Sequence, residues 1–308
     1  MLNLVSDSSC DLISGELNSP YARLTVAPMC LHVGGQDYLD TPELDIPALL
    51  SKLAHHRSSS ACPSPAAYAE AFEQGEETVC VTISSQLSGS YNAAMAARDL
   101  VLAEHPEKKI FVLDSRATSG AMILLLRKAA ELAEQGLPFE DLCAELQVCQ
   151  KSTRLCFTLE HFDNLVNNGR MPPLAGTLLQ TLGIRIVAEA TAEGTIRVAK
   201  KARGEAHTAR AIAQLMSDAK DCTGSAVWGP HPDEVVEGIY AGVLAALAKP
   251  HDIVPLKDSY TLEICFREHR MARRASWYPG AVRTGAYTVA YTAKDPIELM
   301  TARSFLEG

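Results

Sequence analysis

The sequence has no apolar run that would cross a bilayer and no excess of basic residues. Its longest apolar runs, such as residues 121–126, are far shorter than the roughly 20 residues that a membrane-spanning helix needs. The formal net charge of -9 argues against a nucleic-acid-binding protein and against attachment to an anionic membrane surface. Residues 1–7 contain no basic side chain, so we expect no signal peptide.

Signatures of the common catalytic and metal-binding classes are missing as well. The sequence contains no P-loop, no G-x-G-x-x-G dinucleotide motif, no G-x-S-x-G elbow and no H-E-x-x-H zinc motif. Its 9 cysteines, an odd number without a C-x-x-C pair, indicate reduced thiols in a cytoplasmic protein. His55 and His56 are adjacent on a predicted helix, so they point apart and cannot chelate one ion together. We therefore expect neither a metal nor a cofactor.

In its first half the sequence alternates short apolar strands with amphipathic helices. The predicted strands are residues 2–5, 23–28, 78–83 and 110–113. The predicted helices are residues 46–56, 66–74, 89–104, 119–135 and 139–151. This alternation is typical of an α/β fold in which helices cover both faces of a parallel sheet.

A second pattern begins near Thr153 and includes a predicted hairpin. Residues 184–189 and 195–199 read as strands joined by a short turn that ends in Gly194. Further strand candidates are residues 155–158, 225–228, 252–255, 261–266 and 286–291. An antiparallel component belongs to a different sheet. We therefore predict two α/β domains, residues 1–152 with a parallel sheet and residues 153–308 with a mixed sheet.

The most informative segment is the serine-rich junction between a predicted strand and a predicted helix, Ile83-Ser84-Ser85-Gln86-Leu87-Ser88-Gly89-Ser90. Where a strand ends and a helix begins, free backbone N–H groups and short hydroxyls point at one spot. The helix dipole adds partial positive charge, so this spot favours an anion. Serines without a nearby base are poor nucleophiles but good hydrogen-bond donors.

Two other segments are candidates for the same site. Residues 58–65 are either a plain loop, with Ser64 capping the next helix, or a second source of hydroxyls above the anion. Gly169 fits a left-handed residue that ends a helix, and Arg170 follows it. That arginine is either solvated or pairs with an anion through its fork of N–H groups.

Five segments, taken in order, carry motifs that occur together in one family. The first two are Ser6-Asp7-Ser8-Ser9-Cys10-Asp11-Leu12, similar to T-D-S-T-A-D-L, and Ser60-Ala61-Cys62-Pro63-Ser64-Pro65, similar to T-S-Q-P-S-P. Residues 84–92, which include most of the serine junction, match S-S-x-L-S-G-T-Y-x closely, residues 113–120 resemble V-D-S-K-x-A-S-x-G, and residues 159–171 resemble L-x-x-L-x-x-G-G-R-I. In this order the motifs resemble the DegV family, whose characterised members are the fatty-acid-binding subunits (FakB) of fatty acid kinase.

The resemblance implies two α/β domains with an elongated tunnel between them for the acyl chain of a long-chain fatty acid. It implies that Ser60, together with Ser85, Ser88 and Gly89 of the serine junction, holds the carboxylate, and that Arg170 is the family's arginine. In the kinase system a separate catalytic subunit, of the DhaK/DhaL-like type, phosphorylates the presented carboxylate. The binding protein would then be non-catalytic, with the fatty acid and that subunit as its partners and without stable insertion into a membrane.

The C-terminal region departs from the family pattern. Family members carry a histidine in a late H-x-G-P-G-x-x-G stretch that helps to bind the carboxylate. The matching residues 276–285 keep Pro-Gly but contain no histidine. His269, Arg273 and Arg283 are candidates for the missing donor, and the sequence does not choose among them.

Two other functions fit the same residues. Ser85 or Ser88 could be the nucleophile of an acyl or phosphoryl hydrolase or transferase if a distant base reached it in the fold. The chain could also be a regulator that binds another amphipathic anion, since a fold does not fix a function. A basic group after the predicted hairpin is either a docking surface for the kinase or the charged protection of an edge strand. Its members are Arg197, Lys200, Lys201 and Arg203.

Overall fold

The computed structural model describes residues 1–53, 55–159, 166, 168–170, 184–203, 207, 211, 215, 253–255, 260–265 and 287–293. The chain divides into two compact units: unit 1 is Met1–Lys151 with Ala192–Thr195, and unit 2 is Ser152–Thr191 with Ile196–Gly308. The two domains predicted from the sequence, residues 1–152 and 153–308, stay a prediction.

Strands and helices alternate through the described part of unit 1. The strands are β1 (Leu2–Asp7), β2 (Ala22–Ala27), β3 (Cys30–Val33), β4 (Gln36–Leu39), β5 (Ser58–Ala61), β6 (Glu77–Thr82) and β7 (Lys109–Asp114). The helices are α1 (Ile46–Leu53), α2 (Pro65–Glu73), α3 (Ser90–Glu104), α4 (Gly120–Glu134) and α5 (Phe139–Ser152). The four strands and five helices predicted for this half are confirmed, with ends that differ by up to three residues.

Four of these strands form a parallel sheet in the order β2-β1-β6-β7. All six residues of β1 are buried, as are the last five of β6, which requires cover on both faces of the sheet. On one face, α2 and α3 pack around a core that includes Val5, Tyr68, Phe72 and Cys80. The strand order reverses direction between β1 and β6. In α/β sheets, ligands bind beyond the carboxyl ends of the strands at such a point.

The other three strands of unit 1 form a small antiparallel sheet in the order β4-β3-β5, which sequence reasoning did not predict. Gly34 and Gly35 join β3 to β4 with φ values of 58° and 78°. A two-residue hairpin turn of this kind needs positive φ at both positions, and glycine supplies it without strain. The segment read as a loop at residues 58–65 begins as strand β5, and only its remainder is loop. Ser64 does cap α2, since its Oγ accepts the N–H of Ala67 at 3.2 Å.

Unit 2 contains a six-stranded antiparallel sheet within its described residues. The strands are β8 (Thr153–Leu159), β9 (Ile184–Ala190), β10 (Ile196–Arg203), β11 (Ile253–Pro255), β12 (Tyr260–Cys265) and β13 (Tyr287–Ala293). Their order is β10-β9-β8-β13-β12-β11, and the pairing of β9 with β10 confirms the predicted hairpin. The strand predicted at residues 225–228 lies outside the described residues.

The sequence predicts reduced cysteines and no membrane-spanning helix. Seven of the cysteines in the described ranges are free thiols, and four of them, Cys10, Cys80, Cys143 and Cys156, are buried. Burial raises the pKa of Cys10 and of Cys143 to about 12, so these thiols are inert core residues. None of the helices that the structure describes is long and apolar enough to span a bilayer.

Candidate functional site

The serine junction lies at the carboxyl end of the parallel sheet, beside the reversal of strand order. The N–H groups of Leu87 and Ser88 both donate to the carbonyl of Ser84, at 3.0 and 3.1 Å, and fold the junction into a tight turn. Gly89 is the N-cap residue of α3 and has no side chain with which to cap the helix. A helix of 15 residues thus presents its first N–H groups and its positive dipole end next to the hydroxyl of Ser88.

Ser85 already holds a carboxylate of the protein itself. Its N–H and its hydroxyl donate to the two oxygens of Asp114, at 3.2 and 2.5 Å. The N–H of Arg116 donates to the same carboxylate at 2.9 Å. A serine hydroxyl has one proton, so Ser85 cannot give it to a bound anion while it contacts Asp114. Sequence reasoning had no way to see this pairing, because the two residues are 29 positions apart.

Ser88 stands at one end of a chain of hydrogen bonds that leads into the core. Its Oγ lies 3.2 Å from the Oγ of Ser90 and accepts the N–H of Ser90 at 3.3 Å. A side-chain hydrogen bond with Ser90 opposes the rise that burial causes in the pKa of Tyr68, and the hydroxyl of Tyr68 donates to a carboxylate oxygen of Asp7 at 3.4 Å. Tyr68 and Ser90 are fully buried. The chain therefore links a half-buried candidate ligand to a carboxylate inside the protein.

Asp7 is the last residue of β1, and its side chain connects β1 to Ile83, the residue that follows β6. Its carboxylate accepts the N–H of Ile83 at 3.0 Å, the N–H of Ser9 at 3.2 Å and the hydroxyl of Ser9. Burial raises the pKa of Asp7, and the hydrogen bonds from Ser9, Ile83 and Tyr68 oppose that shift. These bonds fix where β6 stops and hence where the serine junction begins.

Ser60 lies half-buried on β5, just ahead of a segment that reaches the start of α3. A Cβ added to Gly89 would come within 3.2 Å of the Sγ of Cys62. Burial raises the pKa of the Cys62 thiol, and the nearby charge of Asp7 raises it further. The structure thus brings the segment that follows Ser60 against the N-terminus of α3, as the predicted shared site requires.

Three of the described non-glycine residues have left-handed φ, and all three lie after strands of the parallel sheet. They are Asp11 (φ 63°), after β1, and Arg116 (φ 52°) and Ser119 (φ 59°), after β7. The hydroxyl of Ser119 donates to the carboxylate of Asp11 at 2.7 Å, so two of the strained residues support each other. Strain of this kind is concentrated at binding sites, where the surrounding structure enforces it.

The turn between β9 and β10, which belongs to unit 1, packs on the serine junction. The hydroxyl of Ser84 donates to the carbonyl of Gly194 at 2.7 Å, and the guanidinium of Arg116 donates to the carbonyl of Ala192 at 3.1 Å. Gly194 is buried with a φ of 91°. Sequence reasoning identified this turn only as a hairpin, since nothing in its composition indicates which surface it contacts.

The remaining candidates lie in unit 2. Gly169 has the predicted left-handed conformation, with a φ of 71°. Arg170 is exposed, and its guanidinium donates to the carbonyl of Asn168. The candidates for the missing C-terminal donor fall outside the described residues; they are His269, Arg273 and Arg283.

Comparison with known proteins identifies the family. A profile of the DegV family, which is described as uncharacterised, matches residues 1–257. A DegV domain-containing protein of Streptococcus pneumoniae is 38% identical over 212 residues, which are 68% of this chain and 75% of that protein. Another, of Streptococcus pyogenes serotype M1, is 35% identical over 211 residues with the same two coverages, 68% and 75%. The chain belongs to the DegV family.

Solved structures confirm the predicted DegV fold. The Streptococcus pneumoniae Fatty Acid Kinase (Fak) B3 protein, loaded with linoleic acid, is 28% identical with a TM-score of 0.73, over 95% of this chain and 99% of that one. A DegV family protein of Eubacterium eligens, loaded with heptadecanoic acid, is 24% identical with a TM-score of 0.74, over 96% and 100%. A stearic acid-binding protein of Eubacterium ventriosum is 22% identical with a TM-score of 0.69, over 96% and 99%. At 24% and 22% identity, the last two matches show a shared fold and nothing more.

Proposed function

We propose that this chain is a non-catalytic carrier that binds a long-chain fatty acid and presents its carboxylate to a kinase subunit. The observation that carries the proposal is the N-terminus of α3, with a glycine at its N-cap position beside Ser88, in a chain whose fold matches a protein loaded with linoleic acid. A buried carboxylate is stable only where several donors surround it. The start of a helix together with hydroxyl groups supplies such donors.

In this proposal the residues have different roles. The first N–H groups of α3 and the hydroxyl of Ser60 donate to the head group, and Gly89 lets it approach the helix because it has no side chain. The hydroxyl of Ser88 donates to the head group when it turns away from Ser90. Ser85 supports the junction through Asp114, and it donates to the fatty acid only when the ligand displaces that carboxylate. Arg170 remains a proposed ligand by its match to the family's arginine.

The acyl chain supplies most of the binding energy. At about 0.8 kcal/mol per buried CH₂ group, a long chain contributes on the order of 10 kcal/mol before the costs of ordering it. Such a contribution is large enough to retain the ligand through purification. The head group then determines which end of the molecule is held at the serine junction.

The alternative role of Ser85 or Ser88 as a nucleophile lacks a base among their described contacts. The hydroxyl of Ser85 contacts the carboxylate of Asp114, and the hydroxyl of Ser88 contacts that of Ser90. A carboxylate removes a serine proton poorly, and a second hydroxyl does not remove it at all. These contacts favour hydrogen bonding to a ligand over covalent catalysis.

The test combines lipid analysis with a matched pair of serine variants. Denaturing extraction should release about one long-chain fatty acid per chain, and the delipidated protein should bind oleate or palmitate. Ser60→Ala should weaken that binding roughly ten- to a hundredfold, because a hydrogen bond to a charged group contributes about 1.5 to 3 kcal/mol. Ser59→Ala is the control, since successive side chains of β5 point to opposite faces of its sheet.

One result would contradict the carrier function, and another would contradict only the role of Ser60. The first is a protein that yields no lipid on extraction and binds neither oleate nor palmitate. The second is equal binding by the Ser60→Ala and Ser59→Ala variants, which would remove Ser60 from the head-group site while leaving the carrier function in place.

The proposed kinase partner requires a docking surface, and β10 offers one. Lys201 and Arg203 are exposed on the same face of this strand, which is an edge of its sheet, whereas Arg197 already pairs with Glu189 at 2.5 Å. We expect Arg203→Glu to weaken association with the cognate kinase in a pull-down, because a charge reversal opposes an acidic partner surface. Lys151→Glu, an equal charge reversal at an exposed residue of α5, should not. Unchanged association of Arg203→Glu would indicate that the charge only protects the edge strand.

A further inference from the structure

One face of the β3–β4 hairpin carries a thiol, an imidazole and a carboxylate. Cys30 and His32 are two residues apart on β3 and therefore point to the same side of the sheet. Asp37 of β4 is directly opposite His32, and its Oδ1 lies 2.6 Å from the Nδ1 of the imidazole. One ligand atom from each of the three residues lies within 4.8 Å of those from the other two.

This group is separate from the proposed fatty acid site. Ser60 pairs with Leu31, whereas His32 pairs with Ser59, so Ser60 and His32 lie on opposite faces of the β4-β3-β5 sheet. The side chains of His32 and Asp37 are 41% and 72% exposed. An ion from solvent can therefore reach the group without opening the core.

The electrostatics of the group favour a cation. The Sγ of Cys30 and a carboxylate oxygen of Asp37 lie within 4.8 Å of each other, so the carboxylate would repel a thiolate at Cys30. A positive ion between the two groups would replace that repulsion by attraction to both.

We propose that Cys30, His32 and Asp37 bind a divalent transition-metal ion, with zinc as the natural candidate. Thiolate, imidazole and carboxylate are the side-chain ligands of zinc, at about 2.0 to 2.3 Å from the ion. Three ligands on one hairpin leave a fourth position for water, and a borderline-soft ion is preferred over magnesium or calcium because of the sulfur and nitrogen ligands. On binding, the thiol releases its proton to solvent, and the neutral imidazole, with its proton on Nε2, exchanges the contact of its Nδ1 with Asp37 for a bond to the ion.

The ion would act as a clip between β3 and β4. A ligand that binds only the folded hairpin stabilises it by mass action. Since β3 also pairs with β5, the clip would hold the small sheet on which Ser60 lies. The inference does not depend on the fatty acid, because the three ligands face away from Ser60.

The test uses cobalt(II) as a spectroscopic probe of the chelator-treated, full-length chain. We expect one cobalt per chain, a thiolate-to-cobalt charge-transfer band in the near ultraviolet, and loss of both signals when zinc is added in competition. Cys30→Ser should abolish that band and weaken binding at least about tenfold, as expected when a metal site loses a contact. Cys62→Ser, which changes another half-buried thiol of unit 1, should leave the spectrum unchanged.

Asp37→Asn provides a second variant. Because this side chain is mostly exposed, the substitution should not disturb folding, and a loss of metal binding could not be attributed to misfolding. Asp37→Asn should weaken cobalt and zinc binding while circular dichroism and thermal unfolding of the metal-free protein stay as in the parent chain. Absence of stoichiometric binding, or binding that Cys30→Ser and Asp37→Asn leave unchanged, would overturn the proposal. In that case His32 and Asp37 are only a hydrogen-bonded pair on the surface of the hairpin.

Discussion

Replacing Asp7 by alanine is expected to lower the free energy of unfolding by roughly 2 to 6 kcal/mol. Two buried N–H groups, of Ile83 and Ser9, lose their acceptor, and each unsatisfied group costs about 1 to 3 kcal/mol. The hydroxyl of Tyr68 loses its acceptor as well. Urea unfolding of the delipidated parent and of Asp7→Ala, followed by circular dichroism, measures the difference.

Asp7→Asn is the matched control, because it keeps the size of the side chain and one acceptor oxygen. It should destabilise less than Asp7→Ala, since the N–H of Ile83 can still be accepted. Equal stability of Asp7→Ala and the parent chain would mean that the bonds between β1 and the serine junction contribute nothing. The assignment of Asp7 as the residue that positions the junction would then fail.

The stability of the parent chain relative to Asp7→Asn, measured as a function of pH, reports the ionisation of Asp7. Burial raises its pKa above the ordinary value of 3.8, so the folded protein binds this proton more tightly than the unfolded chain does. The resulting stability is fully present below the ordinary pKa and is lost as the pH rises through the raised one. The parent should therefore lose stability relative to Asp7→Asn across that range. A difference that grows with pH in the parent's favour would mean that the hydrogen bonds outweigh burial.

The parallel sheet could be predicted from the sequence because its strands are short, largely apolar segments in a chain that alternates them with helical segments. β1 and β6 are almost wholly buried, and apolar residues such as Leu4, Val5, Val79 and Val81 indicate them as buried strands. The small antiparallel sheet gives a weaker signal. β5 consists of three serines and an alanine and has no β-branched residue, so its strand conformation depends on pairing with β3. The Gly34-Gly35 turn was the signal available for β3 and β4.

The candidate site was predictable in its type of residue but not in its pairings. A strand that runs into serines and then a helix indicates an anion site by local geometry alone, and the structure does place Gly89 at the N-cap. Which hydroxyls remain available to a ligand depends on contacts between distant segments. Asp114 engages Ser85, and a chain through Ser90 connects Ser88 to the core. No spacing in the sequence encodes these contacts.

Replacing Gly194 by alanine is the second change with a large expected effect, and it acts on the same junction from another segment. Its φ of 91° is a conformation that alanine adopts only with strain, of about 1 to 3 kcal/mol. The added Cβ would also overlap the Oγ of Ser84 and lie 3.0 Å from the Cα of Arg116. Overpacking against such neighbours typically costs a further 1 to 3 kcal/mol or so. Urea unfolding should therefore reveal a loss of about 3 kcal/mol, and oleate binding should weaken because Ser84 is displaced.

Gly136→Ala is the control that separates the cost of a strained backbone from the cost of steric overlap. Gly136 follows α4 with a φ of 73°, and a Cβ added there meets no atom within 4 Å. It should lose only the cost of the left-handed conformation, about 1 to 2 kcal/mol, and should bind oleate as the parent does. If Gly194→Ala is no more harmful than Gly136→Ala, the contact between the Gly194 turn and Ser84 is not tight. If Gly194→Ala is the more harmful and also weakens oleate binding, the shape of the serine junction depends on a turn more than 100 residues away in sequence.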